Sequence, residues 1–392
     1  MTTEKPLSED AKRERVVLAV DLDYFFAQCE EVRKPELKGR PVVVCVYSGR
    51  TEESGAVSTS NYIARRLGVR SGIPIISAKR ILKNHPEAVF LPIDKEYYES
   101  VSERIMEIMR SESRAESFEK VSIDEAFLDI SSVVKGDFQS AKEIAQRVKQ
   151  SILESEGLTC SVGVSINKLL AKMAADHTKP DGLTVVTQDQ IHEFLDDLPV
   201  SKLQGIGPKT EQKLQSMGIG KVSELARLDR ERLATEFGRK LGPHLGEIAQ
   251  GIDDTPVKER EIEQLSRIIT LKHDATSLES FSDELTPLVS DICARLDSGR
   301  LSCTNVSVIA ITTELKTKSR AHALETPTRS EKVILDLARE LFSRFFSEEV
   351  KDGGEEKTTR VRRVGVRVSG LKQEVEKGRA QPSPSLTDYF GV

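Results

Sequence analysis

The stretch that decides the fold is VVLAVDLDYFFAQCEE, residues 16–31, in which five apolar residues precede two aspartates and three aromatic side chains. A short apolar run of this kind is typical of a buried strand, and FFAQCEEV, residues 25–32, has helical character. Alternate strand residues share a face, which places Val17, Ala19, Asp21 and Asp23 on one side. Because an unpaired carboxylate is costly to bury, we expect Asp21 at the strand end, where a corner leads into the helix.

The composition is that of a globular protein with room for two to four domains: 392 residues, 38% hydrophobic and 31% charged. No apolar run approaches the roughly 18 to 20 residues of a membrane span, and the polar amino-terminal segment does not predict a signal peptide. Five scattered cysteines without a CxxC pair favour a reduced, cytoplasmic chain without disulfides or zinc. The net charge of -5 argues only weakly against a nucleic-acid partner, since phosphate binding needs one basic face.

Strands that alternate with helices up to about residue 187 predict an α/β or α+β domain. Within it, residues 56–83 are interpreted as a basic helix, a Gly-Pro loop and a second helix, and residues 121–130 as a hairpin. Helical patterns broken by glycines fill residues 190–251, and β-rich runs alternate with helices from 262 to 372. The polar segment 252–264 between these parts is expected to be a linker.

A second acidic pair, Asp124-Glu125, lies between apolar runs in the predicted hairpin. Taken alone, the Asp21/Asp23 pair is explained better by turn or cap acids, and the Asp124-Glu125 pair is explained equally well by them. Together, carboxylates at the ends of neighbouring strands repel one another unless a cation neutralises them, and hard oxygen ligands select Mg²⁺. Two such ions would activate an attacking oxygen and stabilise the leaving one. The two pairs therefore favour a metal site.

Hydroxyl and cationic side chains at helical spacing fit a phosphate substrate. Arginines and lysines around a metal-bound triphosphate are what phosphoryl transfer requires, although a solvated helix face is the commoner role for such residues. The first set is Ser58, Thr59, Ser60, Tyr62 and Arg65, and the second is Lys168, Lys172 and Lys179.

Two further patterns indicate a nucleic-acid partner. A Gly-x-Gly turn that opens a helix resembles the helix-hairpin-helix motif, whose backbone N–H groups approach a phosphate, with ordinary helix packing as the alternative. Strands that are apolar below and basic above suit a sheet lying along a phosphate backbone, with a solvated sheet face as the alternative. The residues concerned are Gly205, Gly207 and Lys209 in the turn, and Lys316, Lys318, Arg320, Arg363 and Arg367 in the strands.

Four motifs, in this order, resemble those of the Y-family DNA polymerases, and most closely the archaeal type of the DNA polymerase IV branch. The resemblance covers residues 16 to about 370. The motifs are Asp21-Leu22-Asp23-Tyr24-Phe25-Phe26-Ala27, Ser54-Gly55-Ala56-Val57 with Asn61-Tyr62-Ile63-Ala64-Arg65, Ser122-Ile123-Asp124-Glu125-Ala126, and Asn167-Lys168 with Lys172 and Lys179-Pro180-Asp181-Gly182.

The resemblance implies an α+β multidomain, right-hand polymerase. Its palm has a mixed sheet with helices, its thumb is helical and carries the helix-hairpin-helix, and its C-terminal little finger is an α/β domain. The implied boundaries are 1–24 and 96–187 for the palm, 25–95 for the fingers, 188–251 for the thumb, 252–264 for the linker, 265–372 for the little finger and 373–392 for a flexible tail.

The resemblance also implies the site and the activity. Asp21, Asp124 and Glu125, with the Leu22 carbonyl, would hold two Mg²⁺ ions, and Phe26 would be the steric gate that excludes a 2′-hydroxyl. The activity would be primer extension on template DNA with deoxynucleoside triphosphates, at low fidelity, without proofreading and past damaged bases. The remaining nucleotide contacts would be Tyr24, Phe25, Ser58, Thr59, Tyr62, Arg65 and Lys179. Asp23 has only a structural interpretation.

Leu386, Tyr389 and Phe390 near the C-terminus have the i, i+3, i+4 spacing of an aromatic plug. They are similar to the sliding-clamp-binding peptide of replication proteins, although Ser383 stands where that peptide has glutamine. The alternative is a disordered tail with incidental aromatics. The expected protein is a monomer without a membrane partner.

Two other functions compete with polymerisation. A non-catalytic DNA-binding scaffold would use the hairpin and the basic strands, but it gains nothing from carboxylates grouped near phosphate. A palm-type nucleotide cyclase would share the acids but has no use for the hairpin or the basic strands.

Overall fold

The computed structural model describes residues 15–349 and 359–373 of the chain. The chain divides into two compact units, Met1–Lys38 with Glu96–Arg260, and Gly39–Lys95 with Glu261–Val392. No helix among the described residues is both long and apolar enough to cross a membrane.

The strands of the described residues are, in chain order, β1 Val17–Leu22, β2 Val42–Tyr47, β3 Gly55–Ser60, β4 Val89–Pro92, β5 Ser117–Lys120, β6 Glu125–Asp129, β7 Cys160–Ser165, β8 Leu183–Val185, β9 Gln264–Ala275, β10 Leu301–Thr312, β11 Thr317–Thr328, β12 Val361–Ser369 and β13 Lys372–Gln373. The α-helices are α1 Phe25–Arg33, α2 Tyr62–Arg66, α3 Ile75–Ile81, α4 Lys95–Ser113, α5 Ser131–Val134, α6 Phe138–Glu156, α7 Lys168–His177, α8 Ile191–Leu195, α9 Pro208–Ser216, α10 Val222–Ala226, α11 Arg230–Ala249, α12 Ser282–Ser298 and α13 Glu331–Glu349.

The first unit is built on a mixed sheet in the order β5-β6-β1-β7-β8, in which only β7 and β8 are parallel. Helix α7 packs on this sheet through Ala171 and Ala175, which share a buried cluster with Val17 and Ala19. The helix approaches β7 so closely that a Cβ on Gly163 would lie 1.9 Å from the Ala171 carbonyl oxygen. The predicted mixed sheet with helices is confirmed, and so is the hairpin, although its first strand is Ser117–Lys120 and ends before Val121.

Helices α8 to α11 form a helical part whose buried residues, among them Leu203, Ile206 and Leu214, share one apolar cluster with Leu170 of α7. Among residues 188–251 the only β pairing is an isolated bridge between Pro199 and Lys221. The predicted helical thumb is confirmed. Helix α11 is interrupted at Gly238, whose φ of 85° is not helical.

Much of the segment predicted as a linker is attached to the first unit. Val257 is buried in the cluster under α7, and the side chain of Asp253 accepts a bond of 3.1 Å from the Leu169 N–H. Arg260 forms an ion pair of 2.8 Å with Glu119, which is only 3% exposed and also binds Lys168 at 2.7 Å. Buried apolar and ionic contacts therefore fix residues that a free linker would leave in water.

The second unit contains a small sheet, β3-β2-β4, and a larger antiparallel sheet, β11-β10-β12-β9, with α12 and α13 packed on one face of the larger one. The helix predicted from residue 56 is wrong at its start, because Gly55–Ser60 is a strand paired with β2. Helix α2 begins only at Tyr62, where the Asn61 side chain accepts a capping bond of 3.0 Å from the Ala64 N–H.

Candidate active site

The corner that follows β1 brings the two acidic motifs together. The Leu22 N–H donates a 2.9 Å bond to the Asp124 carbonyl oxygen. Tyr24 then turns the chain with φ 36° and ψ 45°, and α1 starts at the next residue. A left-handed conformation is rare for a bulky side chain, and such strain collects at functional sites.

Asp21 faces Glu125 directly across the β1–β6 pair. The ammonium of Lys172, from α7, donates a hydrogen bond to Asp21 and lies 3.3 Å from Glu125. Lys179, in the loop after α7, lies 2.6 Å from the other oxygen of Asp21. The carboxylates are therefore balanced, in part, by two ammonium groups.

The surroundings of Asp124 and Glu125 disfavour their charged forms. Burial raises the pKa of Asp124, and the charge of Asp21 raises it further, against a 2.5 Å bond from Ser122 Oγ. Burial also raises the pKa of Glu125, with Lys172 opposing and Asp21 adding to the effect. Since burial disfavours the charged form, a cation beside these groups would favour their ionised state.

The two lysines respond in the opposite sense. Burial alone would lower the pKa of Lys172, but Asp21, Glu125 and Asp176 outweigh it and hold the pKa above its usual range. The pKa of Lys179 is also raised, because Asp21 and Asp176 outweigh burial and the charge of Lys172. Both ammonium groups are therefore charged at neutral pH.

Asp176 belongs to this cluster, although the sequence interpretation missed it. Its carboxylate lies 3.6 Å from Lys172 and 2.7 Å from Lys179. The sequence could have indicated Asp176, since Lys172 and Asp176 are four residues apart on one helix face.

The acids fit a divalent cation by their chemistry. Three carboxylates at the ends of neighbouring strands are hard oxygen donors, and two of them have raised pKa values of the kind that a cation relieves. In the arrangement described for residues 15–349 and 359–373, no three His, Cys, Asp or Glu side chains converge as ready metal ligands. Lys172 and Lys179 lie among the acids instead.

Asp23 does not join the acids. It is 1% exposed, and its carboxylate accepts bonds from Thr159 Oγ1 at 2.9 Å, Ser161 Oγ at 2.8 Å and the Asp181 N–H at 2.8 Å. These donors join β7 and the loop before β8. The structural interpretation of Asp23 is thus supported by three hydrogen-bond donors to its carboxylate.

The ring of Phe26, the predicted gate, is half-buried and stacks on Tyr98 at 4.5 Å with an interplanar angle of 14°. The Tyr98 hydroxyl donates a 2.9 Å bond to the buried Glu30. The Tyr24 hydroxyl donates to Glu31 at 3.1 Å. Phe25 is 2% exposed, so its ring belongs to the core and only its backbone is left for a nucleotide contact.

The remaining nucleotide candidates belong to the second unit. Ser58 and Thr59 lie on β3, and Tyr62 and Arg65 on α2. The Arg65 guanidinium lies over the Tyr62 ring at 5.0 Å, and its Nε donates a 2.8 Å bond to the Ser60 carbonyl. The two side chains thus form one local group, as their spacing predicted.

The predicted hairpin of the thumb projects into solvent. Gly205 has φ 93°, and a Cβ at Gly205 or Gly207 would meet nothing within 4 Å. Ile206 is buried between them and anchors the turn, while Lys209 is exposed. The element before the turn is a single turn of 3₁₀ helix, Val200–Lys202.

The basic strands of the larger sheet do not share one face. Arg363 and Arg367 alternate with buried valines of β12, so they lie opposite α12 and α13. Arg320 pairs with Val308 in β10, which belongs to the core under those helices. Arg320 therefore lies on the helix-covered side.

Lys318 follows the same register, because it pairs with Ala310, another core residue. Lys316 precedes β11, is exposed and forms a 2.7 Å ion pair with Glu314. The expectation of one basic face is wrong for β11, since parity within a strand does not say which face points to the helices. Leu386, Tyr389 and Phe390 of the predicted clamp peptide, with Ser383, lie outside the described residues.

Comparison with known families places these features in context. The sequence model of the impB/mucB/samB family matches residues 20–176, that of its C-terminal domain matches residues 262–383, and a model described as the DNA polymerase-iota thumb domain matches residues 197–253.

Individual relatives cover almost the whole chain. DNA polymerase IV of Methanosarcina acetivorans is 47% identical over 381 residues, which is 96% of this chain and 100% of the relative. A solved Y-family DNA polymerase chimera, Dbh-Dpo4(243-245)-Dbh, has a TM-score of 0.83 at 35% identity and covers 91% of this chain and 99% of its own. The insertion ternary complex of Dbh DNA polymerase has a TM-score of 0.67 at 35% identity, with coverage of 90% and 98%.

Proposed function

The chain belongs to the impB/mucB/samB family, the Y family of DNA polymerases, and we propose that it extends a DNA primer on a template strand with deoxynucleoside triphosphates. As expected for this family, synthesis is of low fidelity, lacks proofreading and serves translesion synthesis and DNA repair. The relatives named DNA polymerase IV and the right-hand fold support this activity.

One observation carries the proposal. The buried Asp21 of β1 faces the half-buried Glu125 of β6, Asp124 directly precedes Glu125, and two lysines from one helix and the loop after it bind Asp21. A scaffold that only binds DNA would lose affinity by placing such acids beside phosphate. Phosphoryl transfer, by contrast, needs grouped oxygen ligands together with cations placed to receive a triphosphate.

We assign Asp21, Asp124 and Glu125, with the Leu22 carbonyl, to the binding of two Mg²⁺ ions. When bound, these ions supply charge neutralisation for the entering and leaving oxygens. Lys179 binds the triphosphate, and Lys172 keeps Asp21 and Glu125 in place. Phe26, held flat on Tyr98, excludes the 2′-hydroxyl of a ribonucleotide.

Other assignments rest on the family pattern. Tyr62 and Arg65 are proposed triphosphate contacts, and Tyr24, Phe25, Ser58 and Thr59 line the nucleotide site. The boundaries given above for the palm, fingers, thumb and little finger stay predictions. Gly205, Gly207 and Lys209 are proposed to bind the DNA backbone, together with Arg363 and Arg367 on the sheet face opposite the helices. Clamp binding by the tail, a monomeric state and a cytoplasmic location remain predictions.

The deciding experiment is primer extension with template, four deoxynucleoside triphosphates and Mg²⁺. The wild-type chain should extend the primer, and Asp124→Asn combined with Glu125→Gln should abolish extension while leaving primer–template affinity within about threefold, since neither acid contacts the DNA backbone in this assignment. Undiminished extension by the folded double variant would refute the metal assignment. A wild-type chain that binds DNA without extending it would favour the scaffold.

A further inference from the structure

The carboxylate of Asp23 lies at the centre of a buried network that ends in the Lys179 loop. Its three donors are neutral groups: the hydroxyl of Ser161 in β7, the hydroxyl of Thr159 just before β7, and the backbone N–H of Asp181. Hydrogen bonds to a carboxylate are about twice as strong as those between neutral groups. Asp23 therefore anchors β7 and the loop before β8, the segments to which its donors belong.

The donor that matters most is the N–H of Asp181, two residues after Lys179. Asp181 has φ 55°, a left-handed conformation that costs free energy in a residue other than glycine. The bond from its N–H to Asp23 holds it there, and Lys149 Nζ binds the Asp181 carboxylate at 2.7 Å. The loop is thus fixed at a strained residue.

The next residue is fixed as well. The Gly182 N–H donates a 3.3 Å bond to Ser161 Oγ, which in turn donates to Asp23. A Cβ at Gly182 would lie 2.1 Å from Thr178 Oγ1, so the backbone passes close to the end of α7. The backbone that carries Lys179 has little freedom while these bonds persist.

We propose that Asp23 is a positioning residue for the incoming nucleotide, which it influences by fixing the loop that carries Lys179. This rests on the proposed role of Lys179 in binding the triphosphate. The Lys179 ammonium lies 2.6 Å from Asp21 and 2.7 Å from Asp176. A shift of the loop backbone would move this group away from both.

The alternative is a residue that merely stabilises the fold, and a double-mutant cycle separates the two. The dissociation constant of the correct deoxynucleoside triphosphate is measured with Mg²⁺ and a primer ending in a dideoxynucleotide, so that no chemistry occurs. Asp23→Asn keeps the shape but turns one acceptor into a donor. We expect it to weaken nucleotide binding about tenfold in the wild type and by less than about twofold in a Lys179→Ala background.

Affinity for the primer–template should stay within about twofold in all four proteins of the cycle. Glu119→Gln is the matched control, because it neutralises another buried carboxylate of the same unit that binds residues outside the loop. It should leave the nucleotide dissociation constant within about twofold. If the factors by which Asp23→Asn and Lys179→Ala raise the nucleotide dissociation constant multiply in the double variant, the two residues act independently and the proposal is overturned.

If Asp23→Asn does not fold, variants of the two residues whose hydroxyls donate to Asp23 are used in its place. Ser161→Ala and Thr159→Val each remove one donor to the carboxylate and retain the negative charge. Each should weaken nucleotide binding about threefold, and neither should do so in the Lys179→Ala background. Full nucleotide affinity in both would overturn the proposal. Failure of the wild-type chain to extend a primer would instead refute the proposed polymerase function.

Discussion

The raised pKa values of the candidate metal ligands predict that one of them can be removed with a gain in stability. Asp124 is the best case, because burial raises its pKa first and the neighbouring Asp21 raises it further. Asparagine keeps an oxygen that accepts the 2.5 Å bond from Ser122 Oγ. Asp124→Asn thus removes a disfavoured charge without removing the hydrogen bond.

In the absence of divalent cations at pH 8, we expect Asp124→Asn to raise the free energy of unfolding by about 1 kcal/mol, a typical gain when a functional charge is removed. For a unit of this size this corresponds to an increase in Tm of about 2–4 °C. Addition of Mg²⁺ should reverse the order, because ligand binding to the folded state stabilises only the protein that retains the ligands. Differential scanning calorimetry with and without Mg²⁺ measures both effects.

The pH dependence gives a second test of the same reasoning. A carboxyl whose folded pKa is raised destabilises the folded state fully above that pKa, and the effect vanishes below the unfolded value of about 4. The advantage of Asp124→Asn should therefore be complete at pH 8 and disappear as the pH falls toward 4. Asp137, whose pKa is lowered by a bond from Ser140 at the start of α6, is the control of opposite sign.

For Asp137→Asn we expect a loss of stability that is present at pH 8 and shrinks at low pH, once the wild-type carboxylate is protonated. The reasoning is refuted if Asp124→Asn is less stable than the wild type at pH 8 without metal. The reasoning is also refuted if the gain in stability of Asp124→Asn is the same at pH 4 and pH 8.

Three further predictions address the sugar, the DNA and the packing. Phe26→Ala should raise ribonucleotide incorporation about 100-fold relative to the wild type in single-nucleotide kinetics; unchanged discrimination would remove this residue from the gate. Arg363→Ala should reduce the salt dependence of primer–template binding by about one unit of slope, and Arg320→Ala should not, because only the former lies on the sheet face opposite the helices; equal slopes would contradict the face assignment. Gly163→Ala should lower the free energy of unfolding by about 3 kcal/mol, since its Cβ would overlap α7. Gly207→Ala should unfold like the wild type but bind DNA more weakly. A larger loss of stability in Gly207→Ala than in Gly163→Ala would refute both predictions.

The features predictable from the sequence are those that depend on neighbouring residues. The strand-to-helix corner after Leu22 follows from five apolar residues beside acids and aromatics, and β1 and α1 occupy those positions. The acidic hairpin follows from local alternation in the same way. The helix predicted from residue 56 failed because Gly55–Ser60 has few apolar residues, and its pairing with β2 decides its conformation.

The features that the sequence leaves open depend on register and on distant partners. That Arg320 and Arg363 lie on opposite faces follows only from the pairing of β10 with β11 and with β12. The partners of Asp23 are 136, 138 and 158 residues away along the chain. No spacing rule connects such residues, so the anchoring of the Lys179 loop emerges only from the folded chain.

The charges of the candidate site explain why its lysines can serve two purposes. Four carboxylates, those of Asp21, Asp124, Glu125 and Asp176, surround the ammonium groups of Lys172 and Lys179, so full ionisation leaves two negative charges in excess. Burial raises the pKa values of Asp124 and Glu125, and the neighbouring charge of Asp21 adds to the effect. A divalent cation would balance the excess negative charge, and further positive charge would weaken the hold of Asp21 on Lys179. The lysine would then be available to an anionic triphosphate, and the loop fixed by Asp23 determines where its charge is presented.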